Sequence, residues 1–286
     1  MRNLLTIDVE EYFQVEGFAD VVDPSSWDSR ESRVEMQTTR LLDLLASTHQ
    51  RATFFVLGWT AERHPELVRE IVRRGHEVAS HGYRHRMVDV EGEAGFREDV
   101  RRGRAVLEAL IGAPVVGYRA PSFSITERTP WAHRVLVDEG HVYSSSVFPV
   151  RHDRYGIPDA PRTAWVVRTG DGGSLVEIPP LTLRVFGQNL PVAGGGYMRL
   201  FPVGVVSSAI DRMNAEGHPA VIYLHPWEID PEQPRIAGRR ANRFRHYVGL
   251  ETMERKLRQL LDRHAFTTMG SHLGVPKQEL TAVTAA

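Results

Sequence analysis

The chain has no cysteine among its 286 residues. A disulfide framework, a thiolate zinc site and a cysteine nucleophile are therefore excluded, and any bound metal must rely on histidine and carboxylate. Net charge is nearly missing as well, with 35 basic residues against 36 acidic ones. That balance gives no electrostatic footprint for nucleic acid or an anionic membrane, and it suits a neutral substrate such as a sugar polymer. Long apolar runs are also absent. The stretch from Met1 to Asp8 is too short for the apolar region of a signal peptide, and nothing approaches the length of a membrane span, which predicts a soluble, cytoplasmic protein. There is no internal repeat or low-complexity tract. A chain of this length can bury one large core unaided, and the expectation is a single domain over residues 1–275 with a flexible tail over 276–286.

Apolar runs at Leu4–Ile7, Ala52–Leu57, Glu77–Ser80 and Val115–Tyr118 read as strands. They alternate with amphipathic, helix-like stretches at Val34–Ala46, Pro65–Arg74 and Glu93–Ile111. This βαβα rhythm predicts a parallel sheet or barrel, and Gly75, Gly112 and Gly140 stand where helices commonly end. The middle of the chain breaks the rhythm. From Ser144 to Gly196 it carries Pro149, Pro158, Pro161, Pro179, Pro180 and Pro191 and the run Gly194-Gly195-Gly196. Long loops and short strands, for example Ala164–Arg168 and Ser174–Ile178, are expected there, and such loops usually build a binding surface. The alternation resumes with a helix over Pro202–Glu216, a strand over Pro219–Leu224 and a helix over Leu250–Arg263.

Chemistry-bearing residues cluster at the ends of the strand-like runs. Ser80-His81-Gly82-Tyr83-Arg84-His85 places two imidazoles four residues apart, about one helical turn, so both rings could face one point. The first run ends in Asp8-Val9-Glu10-Glu11. In extended backbone Asp8 and Glu10 share a face while Glu11 points away. Two further runs, Val115–Tyr118 and Pro219–Leu224, lead into Arg119-Ala120-Pro121-Ser122-Phe123 and His225-Pro226-Trp227-Glu228. Each motif has an ordinary alternative: a solvated turn for the acids and the His pair, a surface cation for Arg119, a core imidazole for His225. Their succession at four strand ends is what favours a site, because parallel α/β sheets keep their chemistry there. Arg235, Arg239, Arg240, Arg243 and Arg245 form a basic run that reads as a solvated loop or, less simply, as a hold for an anionic polymer.

Taken together, Thr6-Ile7-Asp8-Val9-Glu10, Ser80–His85, Arg119–Phe123 and Tyr223-Leu224-His225 resemble the ordered motifs of the polysaccharide deacetylases, the family with the NodB homology domain. The resemblance runs from about residue 3 to 270. Asp8–Phe13, Leu224–Glu228 and Arg245–Leu250 look closest to a subgroup associated with exopolysaccharide biosynthesis. The resemblance implies a distorted (β/α) barrel of about seven parallel strands with long irregular insertions in its second half. It also implies hydrolysis of N-acetyl groups on an amino-sugar polysaccharide, with a divalent metal, zinc by preference, held by His81, His85 and a carboxylate. Where most members have a second Asp, this chain has Val9, and Glu10 is the natural substitute. By the same resemblance Asp8 is the general base, Arg119 its orienting partner and His225 the general acid. An amide of Ser122 or Phe123 would face the oxyanion, Leu224 would line an acetyl pocket, and Phe123 and Trp227 could stack on sugar rings. Two other readings stay open: a metal-independent hydrolase of cyclic amides on the same fold, and a sugar-binding protein without catalysis.

Overall fold

A computed structural model describes residues 1–152, 154–192 and 194–280. The first strand, β1 (Asn3–Val9), is buried along its whole length, as expected of a parallel strand covered on both faces. After it come α1 (Val34–Ser47), β2 (Thr53–Val56), α2 (Gly58–Arg63), α3 (Pro65–Arg73), β3 (Glu77–Ser80), α4 (Val88–Ile111) and β4 (Gly117–Tyr118). Next are α5 (Ala132–Asp138), β5 (Tyr143–Ser144), β6 (Trp165–Arg168), β7 (Ser174–Glu177), β8 (Thr182–Val185) and β9 (Gln188–Pro191). The chain continues through α6 (Gly195–Leu200), α7 (Val203–Ala215), β10 (Val221–Leu224), α8 (Arg240–Tyr247), α9 (Leu250–Arg263), β11 (Phe266–Thr267) and α10 (Met269–Leu273).

The main sheet runs β10-β1-β2-β3-β4-β5-β7-β6, with β11 beside the start of β1. From β10 to β7 every pairing is parallel, and only β6 is antiparallel, as the hairpin partner of β7. The chain leaving β7 then crosses to the far edge, where Leu181 N–H donates to the Val221 carbonyl at 2.9 Å and Gly194 bridges to Tyr223. These contacts draw the two edges of a curled sheet together, which gives the expected distorted barrel. A Cβ on Gly194 would lie 1.8 Å from the Tyr223 carbonyl oxygen, so the crossing requires glycine there.

The largest core cluster packs α1, α3, α7 and α9 onto the sheet through residues such as Leu41, Ile71, Ile210 and Leu257. The register of β1 is secured by Glu11, which points away from Asp8 and accepts hydrogen bonds from Arg33 N–H and Val34 N–H, capping α1 with a carboxylate. α4 starts five residues before its expected Glu93, but Gly92, at φ 68°, interrupts it near the predicted start. The expected tail lies only partly within the described residues. Gln278 accepts from Val78 N–H at 2.7 Å and donates to the Val78 carbonyl at 2.9 Å, so residue 278 is docked on β3; residues 281–286 lie outside the described residues.

Candidate active site

The carboxyl ends of β1, β3, β4 and β10 meet at one cavity of about 550 Å³, lined by Asp8, Glu10, His81, His85, Ser122, Phe123, Tyr223, His225 and Trp227 among others. Asp8, second from the end of β1, and Glu10, just beyond it, share the cavity face, while Val9 between them is fully buried in the core. Asp8 Oδ1 accepts from Arg119 Nη1 at 2.6 Å. The guanidinium is itself completely buried and held by Thr6 Oγ1 at 2.8 Å, Ser145 O at 3.1 Å and Ser145 Oγ at 2.9 Å. With each guanidinium nitrogen hydrogen-bonded, the buried cation is held in one orientation and fixes the carboxylate it pairs with.

The histidine pair comes from a loop, not from the helical turn that its spacing suggested. Gly82 at φ 74° and His85 at φ 53° turn the backbone through the left-handed region, and Asp99 of α4 accepts from Tyr83 N–H at 2.7 Å and Arg84 N–H at 3.0 Å. His81 Nδ1 lies 2.8 Å from the Arg119 carbonyl, which can only accept, so Nδ1 carries the proton and Nε2 keeps its lone pair. That Nε2 is 3.9 Å from Glu10 Oε2, and His85 Nε2 is 2.6 Å from the same oxygen. Glu10 Oε1 accepts from Trp227 Nε1 at 3.1 Å, whereas Oε2 is buried without a well-formed hydrogen bond. One ligand atom from each of Glu10, His81 and His85 falls within 4.8 Å of the others. Two imidazoles and a carboxylate oxygen with no donor of its own, all buried, fit a divalent cation.

His225 faces this group from β10. Its Nε2 is 3.8 Å from Asp8 Oδ2 and 3.7 Å from Glu10 Oε1. Its Nδ1 is 2.8 Å from Glu228 Oε1, which also accepts the His225 backbone N–H at 3.0 Å. Glu228 Oε2 in turn accepts from Arg199 Nε at 2.7 Å. Burial disfavours a charged imidazole, but Glu10, Glu228 and Asp8 outweigh it and raise the His225 pKa to about 9. Burial holds His81 down at about 4 despite Asp8 nearby. For His85 burial is overcome by Glu10 and the pKa rises, while burial of Glu10 is overcome by His85 and His225 and its carboxyl falls well below the usual range.

Ser122 and Phe123 both sit at positive φ, 54° and 52°, in the turn Pro121–Phe123. Phe123 N–H is committed to the Ala120 carbonyl at 3.0 Å, which leaves the Ser122 amide as the donor of that turn available to a ligand. Two expectations change. Leu224 is wholly buried in the main core and does not line the cavity; side chains alternate along β10, and Tyr223 takes the cavity face. Trp227 is only 4% exposed and carries His225 and His246 stacked on its indole at 5.0 and 4.2 Å, so it has no open face for a sugar ring. Its indole N–H is instead spent on Glu10 Oε1. Phe123 lines the cavity but is packed among Phe148, Tyr155 and Tyr223. Glu228, Arg199 and Asp99 had no assigned part in the sequence reading. The spacing of His225 and Glu228 across one turn was the available signal for Glu228.

Residues 26–136 match the polysaccharide deacetylase family profile, and residues 145–273 match a domain of unknown function, DUF3473. Each of the two profiles covers less than half of the chain. Among curated relatives, a peptidoglycan-N-acetylglucosamine deacetylase of Bacillus cereus is 29% identical over 32% of this chain and 42% of its own length. A chitooligosaccharide deacetylase of Sinorhizobium fredii is 40% identical over 29% of this chain and 40% of its own, and a peptidoglycan deacetylase of Helicobacter pylori 31% identical over 50% and 44%. The matched stretches span less than half the length of these relatives. Two solved structures share the fold over nearly the whole chain. A Mycobacterium smegmatis protein provisionally assigned to the polysaccharide deacetylases has a TM-score of 0.62 at 24% identity, covering 99% of this chain and 94% of that one. A Streptomyces lividans family 4 carbohydrate esterase with bound acetate has a TM-score of 0.51 at 17% identity, covering 98% of each.

Proposed function

We propose that the chain is a metal-dependent hydrolase that removes N-acetyl groups from an amino-sugar poly- or oligosaccharide. The observation that carries this reading is the opposition of two proton-handling groups across one cavity: Asp8, fixed by Arg119, and His225, fixed by Glu228, with 3.8 Å between Asp8 Oδ2 and His225 Nε2. Amide hydrolysis needs a base for water and an acid for the departing nitrogen, and these are distinct groups here. Glu10, His81 and His85 would hold the divalent ion, zinc in our reading, whose chemistry when bound is to acidify water and polarise the acetyl carbonyl.

Asp8 accepts the proton of the attacking water at Oδ2, since Oδ1 is engaged by Arg119. The Ser122 amide is positioned to donate to the acetyl oxygen as that atom gains negative charge. His225, charged because three carboxylates face it, gives its Nε2 proton to the leaving amine. Glu228 on Nδ1 keeps the ring oriented throughout. The metal-independent alternative was motivated by Val9, and it is weakened by the third donor that Glu10 supplies one residue later. The sequence signatures at Asp8–Phe13 and Leu224–Glu228 further suggest a role in exopolysaccharide or envelope biosynthesis. No helix among the described residues is long and apolar enough to cross a membrane. The test is acetate release from N-acetylglucosamine oligomers before chelation, after it, and after metal add-back. Acetate release that chelation leaves untouched sinks the metal-dependent reading, and no release from any metal-loaded preparation sinks the deacetylase.

A further inference from the structure

The cavity also gathers three arginines that deacetylation does not use. Arg151 and Arg154 reach it from the segment after β5, and Arg245 from the last turn of α8. The chain as a whole is balanced in charge, so this gathering is local. The other ions of the cavity are engaged: Asp8 with Arg119, Glu10 with His85, Arg199 with Glu228. Among the described residues none of the three guanidiniums has an ion-pair partner, and Glu16 is the one further acid of the wall. Arg154 is half-buried and Arg151 and Arg245 are exposed at the same wall, so three like charges line one space that an anion would neutralise.

The wall is also built in part. Arg154 Nη2 donates to Asn242 Oδ1 at 3.3 Å, and Asn242 Nδ2 donates to the Gly17 carbonyl at 2.7 Å, so the guanidinium is held in one orientation from behind. The Arg245 carbonyl accepts from Arg199 Nη2 at 3.0 Å, which ties that end of α8 to the Arg199–Glu228–His225 chain. The Arg154 guanidinium, with a preset direction and no salt bridge among the described residues, suits two-point recognition of a planar carboxylate or a phosphate, with Arg151 and Arg245 on the same wall.

We propose that the natural substrate carries an anionic group, a carboxylate or a phosphate, on or next to the N-acetylated residue, and that Arg151, Arg154 and Arg245 receive it. The proposal rests on the deacetylase reading for what happens to the acetyl group. It does not rest on it for the binding of the anion.

The experiment compares three probes on the metal-loaded full chain: a neutral N-acetylglucosamine oligomer, an oligosaccharide alternating N-acetylglucosamine with a uronate, and a phosphorylated N-acetylglucosamine oligomer. Acetate release gives kcat and KM, and titration calorimetry gives binding directly. At least one anionic probe should show KM and Kd roughly tenfold or more below the neutral one, the size expected for hydrogen bonds to a charged group. Added salt should erode the difference. Which anionic probe gains distinguishes carboxylate from phosphate. In R154Q/R245Q the preference should fall to near one. Arg151→Gln, at an exposed side chain, should reduce it in part, and it serves if the double variant does not fold. Equal Kd for all three probes, or a preference that survives these substitutions, overturns the proposal. Arginine-dependent binding without acetate release leaves it standing and removes the deacetylase reading instead.

Discussion

Glu10 does at its position what a carboxylate at Val9 could not. Val9 is fully buried in the core, whereas Glu10 lies beyond the strand end with its oxygens directed at His81, His85 and Trp227. Glu10→Ala and His81→Ala should therefore lose the metal almost entirely, because a three-ligand site seldom survives losing one. Elemental analysis of the purified variants reads this, and full metal content in both would remove the site. Asp8→Asn should behave in the opposite way, keeping the metal while activity falls by roughly 10²–10⁴-fold, the share of a general base. A metal-free Asp8→Asn protein would make Asp8 a ligand. Glu228→Gln removes the negative charge from His225 Nδ1, and the sign follows from the cause: the imidazole pKa drops from its raised value, so the proton is lost at lower pH. The alkaline limb of the rate profile should move down in pH, with kcat reduced more than KM rises. An unmoved limb would exclude Glu228 as the partner of the acid. Asp8, Glu10, His81, His85, Arg119 and His225 were legible as residues because each ends an apolar run. Glu228 had only its three-residue spacing from His225 as a signal, and Arg199 had none, because what gives it meaning is a contact across 29 positions of sequence.

At the scale of elements, the reading succeeded where burial and period agree and failed where the backbone turns. β1, α1, α3, β3 and α9 lie within about a residue or two of expectation, since each is either wholly buried or clearly amphipathic. β4 lies within the expected Val115–Tyr118, whereas β5, two residues long, is too short to leave a periodic signal. The His81–His85 spacing was taken as a helical turn, and a glycine at positive φ with a carboxylate cap produces the convergence instead. Gly82 is fixed by more than its φ of 74°, because a Cβ there would lie 2.4 Å from Asp99 Oδ2. Asp99 thus ties α4 to the metal-ligand loop. Asp99→Ala leaves the buried Tyr83 N–H and the part-buried Arg84 N–H without acceptors, at a cost of about 1–3 kcal/mol for the buried one. It should also weaken metal binding by about 10–100-fold, as loss of a ligand-orienting partner does. Chemical unfolding and a competitive metal titration measure the two effects. Lost stability with unchanged metal affinity would confine Asp99 to a structural role.

Over the whole molecule, the curled sheet brings residues from positions 8 to 246 around one cavity, so the site depends on the barrel staying closed. What threatens that closure as pH falls lies far from the chemistry. Burial holds His141, packed on Tyr118 with ring centroids 5.4 Å apart, at a pKa of about 3, and it holds His76 at about 4. Both values lie below the 6.5 of an unfolded imidazole. The unfolded chain therefore takes up these protons first as pH drops, and stability follows: it is fully present above about 6.5, declines as pH falls below it, and the two contributions are gone near 4 and 3. Each shift corresponds to a contribution on the order of 3 kcal/mol, comparable to a good part of a domain's net stability. The protein should thus lose much of its resistance to urea between pH 7 and pH 4.5. His141→Leu isolates one share, because it keeps the site apolar and removes the titrating group. Its unfolding free energy should fall less steeply over the same interval, by about 1 kcal/mol or more between the two pH values, at unchanged m value. Parallel pH dependences for His141→Leu and the parent chain would mean that His141 is protonated at the same pH folded and unfolded, and the acid sensitivity would then have to come from the carboxylates.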